Sequence, residues 1–306
     1  MKPLEVIIKK AEQQLAIVAD NPRREARLLA SHVLGLSYED IYFNKDRFLK
    51  DEEEIVFNIL LERRLKHEPL SKILEFREFW SLPFRVTKDT LDPRPDSETL
   101  IEAVLDHYPH KEGLLRILDL GTGTGCLLLS LLHEYPNAWG VGIDVSEAAI
   151  CIAQENARRL ALEGRAKFVV GQWGNTLSGY FDIIISNPPY ISRLESLPLE
   201  VSAYDPELAL YGGDDGLTCY RDLAEQIPKL ALPGTKIFLE LGKEQLNDVS
   251  AIFSQYSTLQ TRKDLSGNER CLIFLYINPA CAPSMKGMQK VIAETKKLGY
   301  SEIIKV

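Results

Sequence analysis

From about residue 98 onward, short apolar runs alternate with longer segments in which apolar residues recur at helical spacing. This alternation predicts a mostly parallel sheet with helices on both faces, an α/β doubly wound fold. Strands are predicted over residues 115–120, 139–144, 167–170, 181–186, 236–241, 259–263 and 271–277. Helices are predicted over residues 126–134, 146–162, 216–230 and 244–256, with Ser146 as the N-cap of the second.

The first 80 residues show helical spacing without strand-like runs. Leu28, Leu29, Val33 and Leu34 form one apolar stripe that ends at Gly35, a typical helix terminator. Ile55, Ile59 and Leu60 predict another helix after the acidic run 51–54, which suits a helix N-terminus. We therefore predict a helical domain over 1–80, a proline-rich linker with β character over 81–97, the α/β domain over 98–277, and a tail over 278–306 whose role the sequence does not reveal.

Bulk properties place the chain among globular proteins with a sizeable core. It has 306 residues, 45% of them hydrophobic and 26% charged, and no apolar run approaches a membrane span. The N-terminus lacks the apolar region of a signal peptide, so we expect a cytoplasmic protein. The five cysteines are odd in number and scattered, which predicts neither a disulfide framework nor a zinc site. We expect no bound metal.

The net charge of −8 is unevenly distributed. Residues 1–85 contain 15 basic and 15 acidic side chains, so the whole excess of negative charge lies beyond them. A protein that binds duplex DNA normally gains much of its affinity by neutralising phosphates. We therefore expect no nucleic-acid partner, and we interpret the neutral N-terminal segment as a surface for docking a protein.

A glycine-rich loop joins the first predicted strand of the α/β domain to its helix: Asp119-Leu120-Gly121-Thr122-Gly123-Thr124-Gly125. Glycines let a ligand approach the backbone, and the following helix offers free N–H groups. Cys126 stands where a dinucleotide fingerprint needs Gly or Ala, and the Gly-Lys-Ser/Thr ending of a P-loop is absent. A carboxylate is therefore favoured over a phosphate, and the methionine end of S-adenosylmethionine carries one.

Two further strand ends supply the rest of a nucleoside pocket. Asp144 ends the second strand, where an acidic residue typically accepts the ribose hydroxyls. Trp173 follows the third strand and can pack on adenine, while Gln172 can bond the edge of that ring. A set of turn glycines, a helix-capping Asp and a core Trp are the structural alternatives, but all of these loops converge on one sheet edge.

Asn187-Pro188-Pro189-Tyr190 follows the apolar run 181–186 and is therefore expected at the carboxyl end of a buried parallel strand. The prolines stiffen this corner. The Asn187 side-chain oxygen and the Pro188 carbonyl oxygen are two acceptors beside the flat Tyr190 ring, an arrangement that suits a planar NH2 group. The implied target is an amide or an exocyclic amine. The alternative is plain turn chemistry with a buried tyrosine.

With these residues assembled, the chain resembles the peptide chain release factor glutamine methyltransferase family over roughly residues 1–276. The motifs that carry the resemblance are the glycine loop 119–125, Asn187-Pro188-Pro189-Tyr190-Ile191, Arg94-Pro95-Asp96-Ser97-Glu98 and Gly212-Gly213-Asp214-Asp215-Gly216-Leu217. The chain departs from the family at Glu75 (usually Gly), Asp92 (usually apolar), Gln172 (usually Asp) and Asp205 (usually Glu).

The resemblance implies a class I, Rossmann-like methyltransferase domain with seven strands and a small helical domain before it. It implies methylation of the glutamine amide in the Gly-Gly-Gln motif of release factors during translation termination, with S-adenosylmethionine as cofactor. Catalysis is assigned to Asn187, Pro188 and Tyr190, and substrate binding to these residues and Pro189. The cofactor is assigned to Gly121, Thr122, Gly123, Thr124, Gly125, Asp144, Trp173 and Asn187.

Competing functions remain open at this point. A DNA adenine N6-methyltransferase can carry the same tetrapeptide but must also flip a base and grip phosphates. A methyltransferase acting on a ribosomal protein glutamine has the same motifs. A nucleotide-binding oxidoreductase explains Gly121–Gly125 and Asp144 but leaves Asn187 without a role. We expect a monomer that acts on a release factor.

Overall fold

The structure is a computed structural model and describes residues 2–277. The predicted tail, 278–306, lies outside the described residues. The helices in chain order are α1 (Leu4–Leu15), α2 (Pro22–Leu34), α3 (Tyr38–Phe43), α4 (Asp51–Leu65), α5 (Leu70–Leu74), α6 (Glu98–His107), α7 (Cys126–Glu134), α8 (Glu147–Arg159), α9 (Leu199–Ser202), α10 (Glu207–Leu210), α11 (Thr218–Gln226) and α12 (Leu246–Ile252). The strands are β1 (Arg77–Phe79), β2 (Leu82–Phe84), β3 (Arg116–Leu120), β4 (Trp139–Asp144), β5 (Ala166–Val170), β6 (Phe181–Ser186), β7 (Ala231–Glu240), β8 (Ser257–Lys263) and β9 (Glu269–Leu275).

The chain forms two compact units. The first contains Met1–Phe76 together with Leu197–Asp205, and the second contains Arg77–Ser196 and the described residues from Pro206 onward. The first unit is helical. In α2, Asn21 caps the start by accepting a hydrogen bond from Arg24 N at 3.1 Å, and Gly35 ends the helix in the left-handed conformation. The stripe that ends at Gly35 is therefore a helix, as predicted.

Helix α4 forms where the sequence predicts it, but its buried face differs from the expected stripe. Phe57, Leu60 and Leu61 pack into the core of the helical unit. Ile55 and Ile59 remain 59% and 52% exposed. The periodicity therefore identified the helix correctly, while the packing of α4 leaves much of its apolar surface uncovered.

Segment 197–205 belongs with the N-terminal helices, a connection that the sequence did not indicate. Lys72 Nζ and Asp205 Oδ1 are 3.1 Å apart, and their side chains are only 3% and 2% exposed. Arg64 adds an ion pair to Glu200 at 2.9 Å. A buried charge needs a partner of opposite sign, so these pairs tie the late segment to this unit.

The second unit contains a seven-stranded sheet with the order β5-β4-β3-β6-β7-β9-β8. Neighbouring strands from β5 to β7 are parallel, and β9 is antiparallel to both β7 and β8. Apolar residues of α6 and α7 pack on one side of the sheet, and those of α11 and α12 contribute to a separate buried cluster. The predicted doubly wound, mostly parallel sheet is confirmed.

Most predicted elements have the right type but different limits. Strand β7 begins at Ala231 rather than at residue 236, and the helix predicted over 244–256 is the shorter α12. The helix predicted over 216–230 begins only at Thr218, after Gly216 with φ +75°. It continues as a 3₁₀ turn over Ile227–Lys229, because Pro228 cannot donate an α-helical hydrogen bond.

Strands β1 and β2 form an antiparallel hairpin, of which β2 lies in the predicted linker 81–97 and β1 lies in the range 1–80 that was predicted to be helical. Within residues 2–277, no helix combines the length and the hydropathy needed to cross a bilayer. Over the same range, no group of three or more His, Cys, Asp or Glu side chains is arranged to hold a metal ion.

Candidate active site

The order in which the chain adds strands to the sheet reverses after β5. Strands β4 and β5 lie on one side of β3, and β6 lies next to β3 on the other side. Ligands of open α/β sheets bind outside the carboxyl ends of the strands at such a reversal. A cavity of about 330 Å³ lies here in the second unit. The loops after β3, β4, β5 and β6 all contribute to its lining.

Six of the residues predicted for the site line this cavity: Gly121, Gly123, Asp144, Trp173, Asn187 and Pro189. Five others do not: Thr122, Thr124, Gly125, Pro188 and Tyr190. The ligand contacts assigned to all eleven residues stay predictions, and the cavity supports those of the first six. The lining also includes residues that the sequence did not point to, among them Asp89, Thr90, Leu91, Leu208 and Tyr211.

The glycine loop is held against the end of β4. The N–H groups of Gly121 and Thr122 both donate to the Ile143 carbonyl, at 2.9 and 2.8 Å. Gly121 has φ +79°, and a Cβ built there would lie 3.5 Å from the ring of Trp173. The loop thus presents bare backbone beside a flat aromatic ring, as a nucleoside-binding cleft requires.

Asp144 connects the first two loops of the site. Its Oδ2 accepts a hydrogen bond from Gly123 N at 2.9 Å, and its Oδ1 accepts one from Ser146 N at 2.9 Å. Burial raises the pKa of this carboxyl, and these backbone hydrogen bonds act in the opposite direction. Each carboxylate oxygen can accept more than one hydrogen bond, so Asp144 keeps the capacity to bind two ribose hydroxyls.

Asp119 was part of the glycine-loop motif but was not assigned a role. It is fully buried, and its Oδ2 accepts a hydrogen bond from the Thr122 hydroxyl at 2.7 Å. Its Oδ1 has no hydrogen-bond partner among the described residues. Burial raises the pKa of Asp119 to about 7. A carboxyl group inside an otherwise apolar strand was the signal available in the sequence.

These residues fit S-adenosylmethionine. Asp144 suits a ribose and Trp173 suits adenine, and both line the cavity, whereas the unpaired oxygen of Asp119 is buried and does not line it. Because Gly121 has no side chain, the cleft stays open at that position beside Trp173. None of these four residues calls for a phosphate group on the ligand.

Asn187 lies at the end of β6 on the cavity wall. Its Nδ2 donates to Ser97 Oγ at 3.1 Å, and Ser97 Oγ in turn donates to Glu240 Oε2 at 2.5 Å. No hydrogen bond to Asn187 Oδ1 or to the Pro188 carbonyl is found among residues 2–277. Neither predicted acceptor therefore has a partner within the described residues, but only Asn187 lines the cavity, and Pro188 is buried.

The motif 212–217 packs against the backbone of Tyr190. Gly216 has φ +75°, and a Cβ built there would lie 2.4 Å from the Tyr190 carbonyl oxygen. Only glycine tolerates both conditions. Gln245 Nε2 donates to the same carbonyl at 2.9 Å, and the Tyr190 hydroxyl reaches Glu240 Oε1 at 3.4 Å. Through Gly216, the motif 212–217 therefore lies directly against the tetrapeptide.

Glu240 is a buried carboxyl at the carboxyl end of β7, which the sequence analysis did not single out. Burial raises its pKa to about 7, opposed by the hydrogen bond from Ser97 and by the positive charge of Arg270. Arg270 also pairs with Asp96 at 3.1 Å and with Asp264 at 3.0 Å. The signal in the sequence was an acidic residue that follows the apolar run 237–239.

Comparison with known proteins agrees with this geometry. Residues 7–74 match the family model of the PrmC N-terminal domain, and residues 111–258 match a methyltransferase domain model. The release factor glutamine methyltransferase of Rhodospirillum rubrum is 47% identical over 83% of this chain and 79% of its own length. That of Agrobacterium fabrum is 40% identical over 88% of this chain and 96% of its own.

Among solved structures, the catalytic domain of hMettl16 in complex with the MAT2A 3'UTR hairpin 6 is similar in fold. The TM-score is 0.50 at 18% identity, covering 76% of this chain and 85% of that one. The sheet is that of a class I methyltransferase, and the methyl donor is S-adenosylmethionine. By its sequence similarity to curated relatives over most of their length, the chain belongs to the release factor glutamine methyltransferase family.

Proposed function

We propose that this protein methylates the side-chain amide nitrogen of the glutamine in the Gly-Gly-Gln motif of a peptide chain release factor. The observation that carries the proposal is the state of Asn187. Its amide nitrogen is engaged by Ser97, which leaves Oδ1 as an acceptor at the cavity wall. An acceptor at this point suits a substrate that brings N–H groups.

The chemistry requires such acceptors because an amide nitrogen is a poor nucleophile. Its lone pair is delocalised into the carbonyl group. Asn187 Oδ1 and the Pro188 carbonyl oxygen bind the two N–H groups of the substrate and orient the nitrogen. They also stabilise the positive charge that develops on it, an effect that is large in a site shielded from water. Tyr190 limits the space beside the amide plane.

S-adenosylmethionine, when bound, supplies a methyl group on a sulfonium sulfur. Transfer would replace the bond from this carbon to sulfur by a bond to the substrate nitrogen, and the nitrogen would give up one proton to solvent. Asp144 and Trp173 would hold the nucleoside of S-adenosylmethionine, in the cavity that Asn187 also lines. Orientation of the two reactants then supplies much of the rate.

A test of the substrate uses a purified release factor, the same factor with the glutamine changed to alanine, a ribosomal protein fraction and adenine-containing DNA. Mass spectrometry should detect one added methyl group on the first and none on the other three. Equal labelling of the two release factors would exclude the assigned site. Labelling of DNA or of ribosomal protein in place of the release factor would support the competing methyltransferases.

We assign the docking of the release factor to the helical unit. Helices α3 and α4 and the residues between them expose a set of large apolar side chains: Tyr42, Phe43, Phe48, Ile55, Val56 and Ile59. Exposed apolar side chains of this size, within residues 1–85 where basic and acidic side chains are equal in number, suit a protein surface better than a phosphate backbone.

Substitution of Phe43 and Ile59 by serine tests this surface. Each change should raise the KM for the release factor about 3-fold to 30-fold, the usual range for removing one apolar anchor. The affinity for S-adenosylmethionine should stay the same. Leu265→Ser is the matched control, because Leu265 is also an exposed apolar residue but lies on the β8–β9 hairpin of the other unit. An unchanged KM in both variants would remove the surface from the proposal.

A further inference from the structure

An asparagine side chain has two faces of opposite character, since its oxygen accepts hydrogen bonds and its nitrogen donates them. Rotation by half a turn exchanges them with almost no change in shape. At Asn187 this choice decides the chemistry. With Oδ1 toward the cavity, Asn187 binds an N–H group, whereas with Nδ2 toward the cavity it opposes the NH2 group of the substrate.

The contacts of Ser97 select one orientation. A hydroxyl group has one proton to donate, and the Ser97 hydroxyl lies 2.5 Å from Glu240 Oε2. An ionised carboxylate only accepts, so Ser97 must donate to it. The Ser97 oxygen is then left as an acceptor for Asn187, 3.1 Å away. Only the nitrogen of Asn187 can fill that role.

The surroundings stabilise this hydrogen-bond relay, which runs from Asn187 through Ser97 to Glu240. Ser97 and Glu240 are both buried. The Tyr190 hydroxyl approaches the second oxygen of Glu240. Burial raises the pKa of Glu240 to about 7 against the positive charge of Arg270, so the carboxyl is ionised above that pH. Bulk water has little access to supply an alternative partner, and a buried polar group that loses its partner is costly.

We propose that Glu240 and Ser97 are positioning residues that hold the side-chain amide of Asn187 with its oxygen toward the cavity. They act through Asn187 and do not touch the substrate. The inference rests on the proposed function, because it assigns to Asn187 Oδ1 the task of accepting a substrate N–H. It extends the site to the turn before α6 and to the end of β7, two elements distant in sequence from the tetrapeptide.

Removal of the Ser97 hydroxyl is the first test. Ser97→Ala should lower kcat about 10-fold or more, because a misoriented group loses its preorganised contact. The KM for the release factor and the affinity for S-adenosylmethionine should change much less. Ser97→Thr retains a hydroxyl and should recover most of the rate. Ser130→Ala is the control, since Ser130 is buried in α7 and its hydroxyl has no partner among the described residues.

Glu240→Gln tests the direction of the relay at nearly constant shape. A glutamine can donate to Ser97, which frees the Ser97 proton to bind Asn187 Oδ1 and so favours the wrong orientation. The kcat should fall about 10-fold or more at alkaline pH, above the pKa of about 7 of Glu240. The double variant with Ser97→Ala should be no slower than the slower single variant. Additive losses, or a full rate in Ser97→Ala, would overturn the proposal.

An NMR measurement separates this proposal from the proposed function. With asparagine labelled by ¹⁵N, the Nδ2 protons of Asn187 should show contacts to the Ser97 side chain in the protein without release factor. These contacts should disappear in Glu240→Gln. If they persist in that variant, the relay does not set the orientation. If the wild type shows them but transfers no methyl group to a release factor, the substrate assignment fails while the relay stands.

Discussion

The glycine loop and the Asn-Pro-Pro-Tyr corner lie at the same sheet edge but depend on different parts of the chain. The loop acts through its own backbone, which bonds to the end of β4 and to Asp144. At the corner, the side-chain amide of Asn187 bonds to Ser97 in the turn before α6, and Ser97 bonds to Glu240 in β7, both distant in sequence. A binding loop can therefore be held by hydrogen bonds of its own backbone, whereas a side-chain amide that needs one orientation depends on residues elsewhere in the chain.

The largest expected effect is at the corner. Asn187→Ala should lower the rate of methyl transfer about 100-fold or more, as loss of one preorganised polar contact usually does. The affinity for S-adenosylmethionine should change far less, although Asn187 lines the same cavity. Single-turnover kinetics on the folded variant, with circular dichroism as the folding control, would measure this. A rate near that of the wild type would leave the tetrapeptide as turn chemistry.

Asn187→Asp sharpens this result because it keeps an acceptor while adding a negative charge. Some activity should survive if hydrogen-bond acceptance is the main role of Asn187. The variant also places a carboxylate next to Ser97, whose proton is already donated to Glu240. Activity below that of Asn187→Ala would show that the charge in this buried setting outweighs the retained acceptor.

The loop should respond in binding and not in chemistry. Asp144→Ala should weaken S-adenosylmethionine by about 1.5–3 kcal/mol, the range for hydrogen bonds to a charged group. At saturating cofactor the rate should be close to that of the wild type. Calorimetry would give both this loss and the predicted absence of NADH binding. Tight NADH binding by the wild type would reverse the assignment of the pocket.

A smaller effect on the rate is expected at Gly216, which packs against the Asn-Pro-Pro-Tyr corner. Gly216→Ala places a Cβ 2.4 Å from the Tyr190 carbonyl oxygen at φ +75°. It should destabilise folding by about 1–3 kcal/mol and also reduce the rate. Gly267→Ala is the control, since Gly267 has φ +85° but no atom within 4 Å of the added carbon. Urea unfolding of both variants would separate backbone strain from steric conflict, and equal losses would contradict the close approach.

The smallest expected effect lies outside both loops, in the helical unit. Glu75 ends α5 with φ +50°, at a position where the family usually has glycine. Glu75→Gly should raise the free energy of unfolding by about 0.5–1 kcal/mol, because glycine adopts this conformation without strain but loses more entropy on folding. The rate of methyl transfer should not change. Thermal unfolding together with a rate assay would check both statements, and a loss of stability would be the opposite result.

The order of elements and the cavity itself were predictable because they follow from local patterns. Strand β6 and helix α7 lie where the apolar runs predict them. The loops that carry Gly121, Asp144, Trp173 and Asn187 meet because parallel strands end at one edge. Helix limits were less accurate, since Gly216 and Pro228 shorten α11 through effects that periodicity does not register.

By itself the sequence determined the alternation of strands and helices, the mostly parallel class of the sheet and the residues of the tetrapeptide, because each depends on the residue types in short segments. Only the tertiary structure decided that Asn187 bonds to Ser97, that Ser97 bonds to Glu240, and that Lys72 pairs with Asp205. Such pairs join residues that are far apart in the chain, and nothing in either segment identifies the other. The reason is physical: a buried polar group requires a partner, but the fold selects which one it is.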